Sequence, residues 1–164
     1  MKTNTEQEYY IVKFKINTKI LYALWYTDII DGFITNNNKI LSFSCFEELQ
    51  KYANDQQILV IDDHTCDYNI NAIVNYKNQF NCEEIYNFWN IVGDIANSLS
   101  IPFLGNKRTK IIDSVFNKLF YGCNVPALRG DGELYVPKWR WRERICLDQI
   151  ISEGLQIIEK TLGN

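Results

Sequence analysis

Residues 85–99 read IYNFWNIVGDIANSL, and the period of this stretch sets the character of the chain. Ile85, Trp89, Val92, Ala96 and Leu99 recur at helical spacing on one face, while Asn87, Asn90 and Asp94 fall elsewhere. Asn81 stands where an N-cap belongs and Glu84 at the third helical position, which completes a capping box. A second helix is predicted over 107–121, with Ile112, Val115, Phe116 and Leu119 as its apolar stripe. It closes on Phe120-Tyr121-Gly122, with Gly122 placed to take a left-handed backbone just past the end. Residues 122–137 contain Pro126, Gly130, Gly132 and Pro137 and read as a loop. A last helix is predicted over 138–162, with Ile145, Ile151, Leu155, Ile158 and Leu162 toward the core.

Upstream the period changes. Residues 9–17 (YYIVKFKIN) alternate apolar and polar with β-branched and aromatic character, as a half-buried strand does. Residues 20–26 are more continuously apolar and fit a buried strand or a short helix. The Asn36-Asn37-Asn38-Lys39 run tolerates positive φ and predicts a hairpin between 32–35 and 40–43. Ser44 with Glu47 predicts a capping box for a helix through Asn54, residues 58–61 a short strand, and Asp67 or Asn69 the cap of a helix to about Lys77. Strands gather in the first third and helices in the rest. The expected fold is therefore α+β, with amino-terminal antiparallel strands packed against a carboxy-terminal helical bundle. A polar leader, residues 1–8, is expected to be flexible and residues 9–164 to form a single domain.

Of 164 residues, 46% are hydrophobic and 14% aromatic, which suits a packed core and argues against disorder. The first ten residues are polar where a signal peptide needs an apolar run, and no window approaches the ~18 apolar residues of a membrane span. Five widely spaced cysteines without a C-x-x-C pair read as reduced, buried thiols, so a cytoplasmic location without membrane contact is expected. Charge is unevenly spread. Between Glu47 and Asp94 nine acids face two bases, a balance of −7, whereas Ile101–Asn164 carries ten bases and seven acids. An acidic central region repels nucleic acid and favours a basic partner. The plainer reading is that these acids solvate helix starts and a strand end.

Motifs with reactive chemistry are missing: the chain has no glycine-rich phosphate cradle, G-x-S-x-G elbow or H-E-x-x-H helix. Asp62-Asp63-His64 is the one acid–imidazole cluster, but adjacent strand residues point to opposite faces, so a surface turn fits it better than a catalytic or metal site. With one histidine in the chain, zinc is not expected, and neither is any cofactor. Cys82 and Cys123 lie near helix ends; a thiol at a helix N-terminus can be acidified, yet both read best as packing residues. Lys138-Trp139-Arg140-Trp141-Arg142-Glu143-Arg144 interleaves cations and indoles, as binders of single-stranded nucleic acid do. Alternatively one tryptophan packs and the arginines pair with the acidic middle segment. Trp25, Tyr22, Trp89, Phe88, Phe116 and Phe120 are expected in the core, and Tyr9, Tyr10, Tyr68 and Tyr135 on the surface.

Phe88-Trp89-Asn90 with Asp94-Ile95-Ala96, then Lys118-Leu119-Phe120-x-Gly122-x-Asn124-x-Pro126-Ala127-Leu128, resembles a bacterial toxin-immunity protein. The resemblance is to those of contact-dependent growth inhibition and related polymorphic toxin systems. Tyr135-x-Pro137-x-Trp139, Glu153-Gly154-Leu155 and an upstream Phe46-Glu47-Glu48-Leu49 continue it, over about residues 43–158. The basic, aromatic stretch Trp139–Arg144 departs from that pattern. The resemblance implies a non-enzymatic protein that binds and neutralises a cognate toxin domain, often a nuclease with a basic cleft. Asp62, Asp63, Asp67, Tyr68, Glu83 and Glu84 are the expected toxin-binding residues, since they flank loops and helix starts that can share one end of the fold. The alternative is a nucleic-acid-binding module using the Trp139–Arg144 helix.

Overall fold

In the computed structural model, residues 7–61 and 65–163 are described. The acid–imidazole triplet Asp62, Asp63 and His64, and the leader up to Glu6, lie outside the described residues. Strand β1 (Glu8–Ile16) starts inside the expected leader and pairs antiparallel along its whole length with β2 (Lys19–Thr27). Asn17, at φ 53°, makes the two-residue turn between them. The stretch that fitted either a strand or a short helix is therefore strand.

Four two-residue strands follow: β3 (Gly32–Phe33), β4 (Thr35–Asn36), β5 (Lys39–Ile40) and β6 (Ser42–Phe43). The asparagine hairpin forms between β4 and β5, shorter than expected between 32–35 and 40–43, because β3 and β6 pair antiparallel with β2 instead. Asn37 and Asn38 sit at φ 50° and 60°, the left-handed pair that a two-residue turn with native twist requires. Helix α1 (Phe46–Asp55) is capped by Cys45 without a side-chain bond, so the expected Ser44–Glu47 box is displaced. Ser44 instead donates to Glu48 at 3.2 Å.

Residues 58–61 contribute one parallel bridge, Tyr9 with Val60, rather than a strand. The strand is β7 (Cys66–Asn69), four residues pairing parallel with β1 at the sheet's edge. Pairing of this kind depends on contacts over fifty residues away, which local patterning does not record. Helix α2 (Ile70–Val74) is only five residues long, and its cap Asn69 makes no side-chain bond.

Helix α3 (Cys82–Leu99) is the centre of the helical half. Asn81 accepts from the amides of Glu83 and Glu84 at 3.0 and 3.2 Å, as the cap reading requires. Ile85, Trp89, Val92 and Ala96 are buried, and so are Phe88, Ile91 and Ile95. The apolar surface therefore extends well beyond one stripe, because α3 packs on the sheet, on α4 (Lys110–Gly122) and on α6 (Trp141–Thr161). A short turn, α5 (Pro126–Arg129), lies between α4 and α6. Phe14, Phe33, Phe88, Ile95, Leu119 and Ile150 belong to the main core, each worth roughly 1.5–3 kcal/mol on burial. Ile11, Leu24, Leu49 and Ala53 form a smaller core that includes α1 residues. The architecture is α+β, with an antiparallel-rich sheet followed by helices.

Several local expectations change on contact with the tertiary structure. Gly122 is the last residue of α4 and is not left-handed; Asn124, at φ 50°, is. Gly122 is required for a different reason: a Cβ there would collide with the Cys82 Sγ and come within 2.9 Å of its Cβ. Gly154 is similar, since a Cβ would meet the Phe88 ring at 2.9 Å. Helix α6 starts at Trp141 rather than Lys138, and Ile145 is 47% exposed instead of facing the core. Cys66 is exposed, although Cys146 is buried and the other three thiols are half-buried. Among the expected core aromatics Phe88 and Trp89 are buried, while Tyr22, Trp25, Phe116 and Phe120 are half-buried. No helix among the described residues is long and apolar enough to cross a membrane.

Candidate functional site

The open edge of the sheet and the first turn of α3 bring three of the expected residues together. Asp67, Tyr68 and Glu84 line a cavity of about 110 Å³, with the polar Asn69 and Asn87 and the apolar Ile70, Ile73 and Phe88 completing the wall. On β7, Asp67 and Asn69 are exposed, while Tyr68 between them is half-buried. The Tyr68 ring stacks on Phe14 at 5.7 Å. Burial first, then the neighbouring Cys66 and Asp94, pushes its phenol up to about 12. Tyr68 is therefore tied to the core by its ring and presents little surface, contrary to its placement among the exposed tyrosines.

The acids are weakly engaged. Asp67 Oδ2 lies 3.8 Å from Lys13 Nζ, and the Asp67 side chain is 67% exposed, so water screens the pair. Glu83 and Glu84 are exposed and form no ion pair among the described residues. Their backbone amides go to Asn81, and their charges complement the positive end of α3. Glu83 does not line the cavity. Among the described residues no group of three or more histidine, cysteine or carboxylate side chains is arranged to hold a metal ion.

Two other carboxyl groups behave differently. Asp94 accepts from the indole of Trp25, on the internal strand β2, at 2.9 Å. Burial raises its carboxyl to about 6; the Trp25 bond opposes that rise and nearby Asp31 adds to it. Glu143 is buried between α4 and α6, where it binds Lys118 at 2.6 Å, Ser114 at 2.8 Å and the Arg140 amide at 2.8 Å. Burial alone would raise it, but Lys118, the Arg140 amide and Ser114 together hold it at about 2. Burial also pushes the Cys82 and Cys123 thiols up, as packing residues require and activated ones do not.

The run Lys138–Arg144 divides by role. Trp139 packs on Phe80 with ring centroids 5.7 Å apart, and the Lys118 ammonium lies 5.8 Å from its ring. Trp141 is 67% exposed, with the Arg142 guanidinium 5.3 Å above its ring. Arg140, Arg142 and Arg144 are exposed and make no ion pair with the described residues of the acidic middle segment.

Sequence reading missed the apolar surface of the α4–α6 connection. Tyr121, Val125, Leu128, Leu134 and Val136 are all exposed there, Val136 by 74%. Asn124 holds the connection in place, accepting from the Tyr135 amide at 2.7 Å and donating to its carbonyl at 3.0 Å. The density of apolar residues between Val125 and Val136 was the available signal, hidden by glycines and prolines that mark the segment as a loop. Comparison with known families, characterised proteins and solved structures gives no match for this chain.

Proposed function

We propose that the protein is a non-enzymatic immunity protein that binds and neutralises a cognate toxin domain, a basic nuclease, in the cytoplasm of the cell that makes it. The observation that carries this reading is the acidic sheet edge, where Asp67 and Glu84 border one cavity and neither is consumed by a strong ion pair among the described residues. Such carboxylates favour a positively charged surface, speed its approach and select against anionic partners. The exposed apolar residues of the α4–α6 connection add surface of the kind that protein interfaces bury. The resemblance over residues 43–158 supplies the partner class. Tight complexes of this type reach Kd values of about 10⁻¹⁴ M.

The test is co-expression with the product of the gene immediately upstream in its own genome, where such systems place the toxin. Restored growth with co-purification of a stoichiometric complex supports the reading. Persistent growth arrest beside folded, abundant protein, or an upstream product that is harmless, overturns it. The exposed Trp141–Arg142 pair favours a second reading, binding of single-stranded nucleic acid. That reading requires a salt-sensitive shift of an oligonucleotide in a low-salt gel and is lost without one.

A further inference from the structure

A cleft between the α2–α3 connection and the start of α6 has a lining that the immunity reading leaves without a use. Its volume is about 400 Å³, inside the roughly 300–1,000 Å³ range of small-molecule sites, and Tyr76, Lys77, Phe80, Trp139, Arg144 and Asp148 form its walls. Phe80 and Trp139 provide an aromatic wall at one side, tilted 59° to each other. Phe80 is 42% exposed, so ring surface remains open to a visitor.

The cleft is held in shape from both ends. Asp148 accepts from the Tyr76 hydroxyl and, at 2.9 Å, from the Lys77 ammonium. Burial works against the Asp148 charge, yet these two donors hold the carboxyl below its ordinary range. Beneath Trp139, Lys118 donates to the Lys138 carbonyl at 2.7 Å and to the buried Glu143 at 2.6 Å. The segment carrying Trp139 and the start of α6 is thereby fixed before any ligand arrives, which lowers the ordering cost of binding.

Charge decides which ligand suits it. Asp148 is already balanced by Lys77, whereas Arg144 is exposed and unpaired among the described residues. An aliphatic ligand would leave that guanidinium unused, and a simple anion would leave the rings unused. A planar aromatic group joined to a phosphate uses both. Stacking on an aromatic side chain is worth about 1–3 kcal/mol per base, and a guanidinium presents a fork that matches phosphate oxygens.

We infer that this cleft is a binding site for a nucleoside phosphate, with the base against Phe80 and Trp139 and the phosphate at Arg144. The site stands apart from the acidic sheet edge and does not depend on the immunity reading. Free mononucleotides and the terminal nucleotide of a single strand offer the same chemistry.

Calorimetric titration of the full chain with AMP, GMP, CMP and UMP tests the inference, with inorganic phosphate and adenosine as partial ligands. At least one mononucleotide is expected to bind one-to-one, at least tenfold tighter than either partial ligand. Arg144→Ala and Phe80→Ala should each weaken it at least fivefold, with circular dichroism confirming the fold. Arg108→Ala, at another exposed cation, should leave it unchanged. Competition by the mononucleotide against a short oligonucleotide shows that strand ends use the cleft as well. No heat with any mononucleotide at millimolar concentration overturns the assignment. So does phosphate binding as tightly as the nucleotide, or affinity indifferent to both substitutions.

Discussion

Lys118 places its ammonium 2.6 Å from the buried Glu143 carboxylate and 2.7 Å from the Lys138 carbonyl, so one side chain fastens α4 to the approach to α6. Glu143 also closes the start of α6 by accepting from the Arg140 amide. The pair is well shielded, with side chains 21% and 6% exposed. Lys118→Met strands a buried carboxylate and is expected to cost about 3–5 kcal/mol in urea unfolding. The double variant Lys118→Met, Glu143→Gln removes both charges and should recover much of that loss.

Two carboxyl groups give the stability profile opposite slopes in different pH windows. Glu143 is lowered to about 2 from an ordinary 4.5, so its contribution is present above about pH 4.5 and is lost as pH falls toward 2. Asp94 is raised to about 6 from 3.8, so its contribution is present below about pH 3.8 and is lost as pH rises through 6. Asp94→Asn keeps an oxygen for the Trp25 indole and removes the charge. Its stability relative to the parent should therefore rise between pH 4 and pH 7, and a flat difference by chemical denaturation would contradict the assignment.

Close approach rather than backbone freedom explains Gly122. Gly122→Ala forces a methyl against the Cys82 side chain and should cost about 1–3 kcal/mol. Adding Cys82→Ala removes the colliding sulfur and is expected to restore part of the loss. Restoration should be incomplete, because the Cys82 Cβ itself lies 2.9 Å from the new methyl.

What was legible in the chain followed the range of the interaction. The Asn81 cap, the asparagine hairpin and the apolar period of α3 are set by residues a few positions apart, and each is found where expected. The parallel pairing of β7 with β1 and the Gly122–Cys82 contact depend on residues far apart in sequence. Asp94 looked like a solvated polar position, and only the fold sets the Trp25 indole against it. The candidate site was legible in part. Asp67, Tyr68 and Glu84 line one cavity, Glu83 does not line it, and the ring of Tyr68 is engaged with Phe14.

Asn124 combines a left-handed backbone with two bonds to Tyr135, so its roles separate by substitution. Asn124→Gly keeps the conformation and loses the bonds, while Asn124→Ala loses both and should be about 1 kcal/mol worse. Both should speed proteolytic cleavage between Val125 and Val136. Equal stability of the two variants would show that the backbone conformation carries no cost there.

The proposed role of the acidic sheet edge is tested most directly by titrating the upstream gene product proposed as its partner into Asp67→Lys, Glu84→Lys protein, after confirming its fold by circular dichroism. The expected result is a loss of affinity of at least about tenfold, carried partly by slower association that salt no longer modulates. Binding as tight as the parent's, with the same salt dependence, would contradict it.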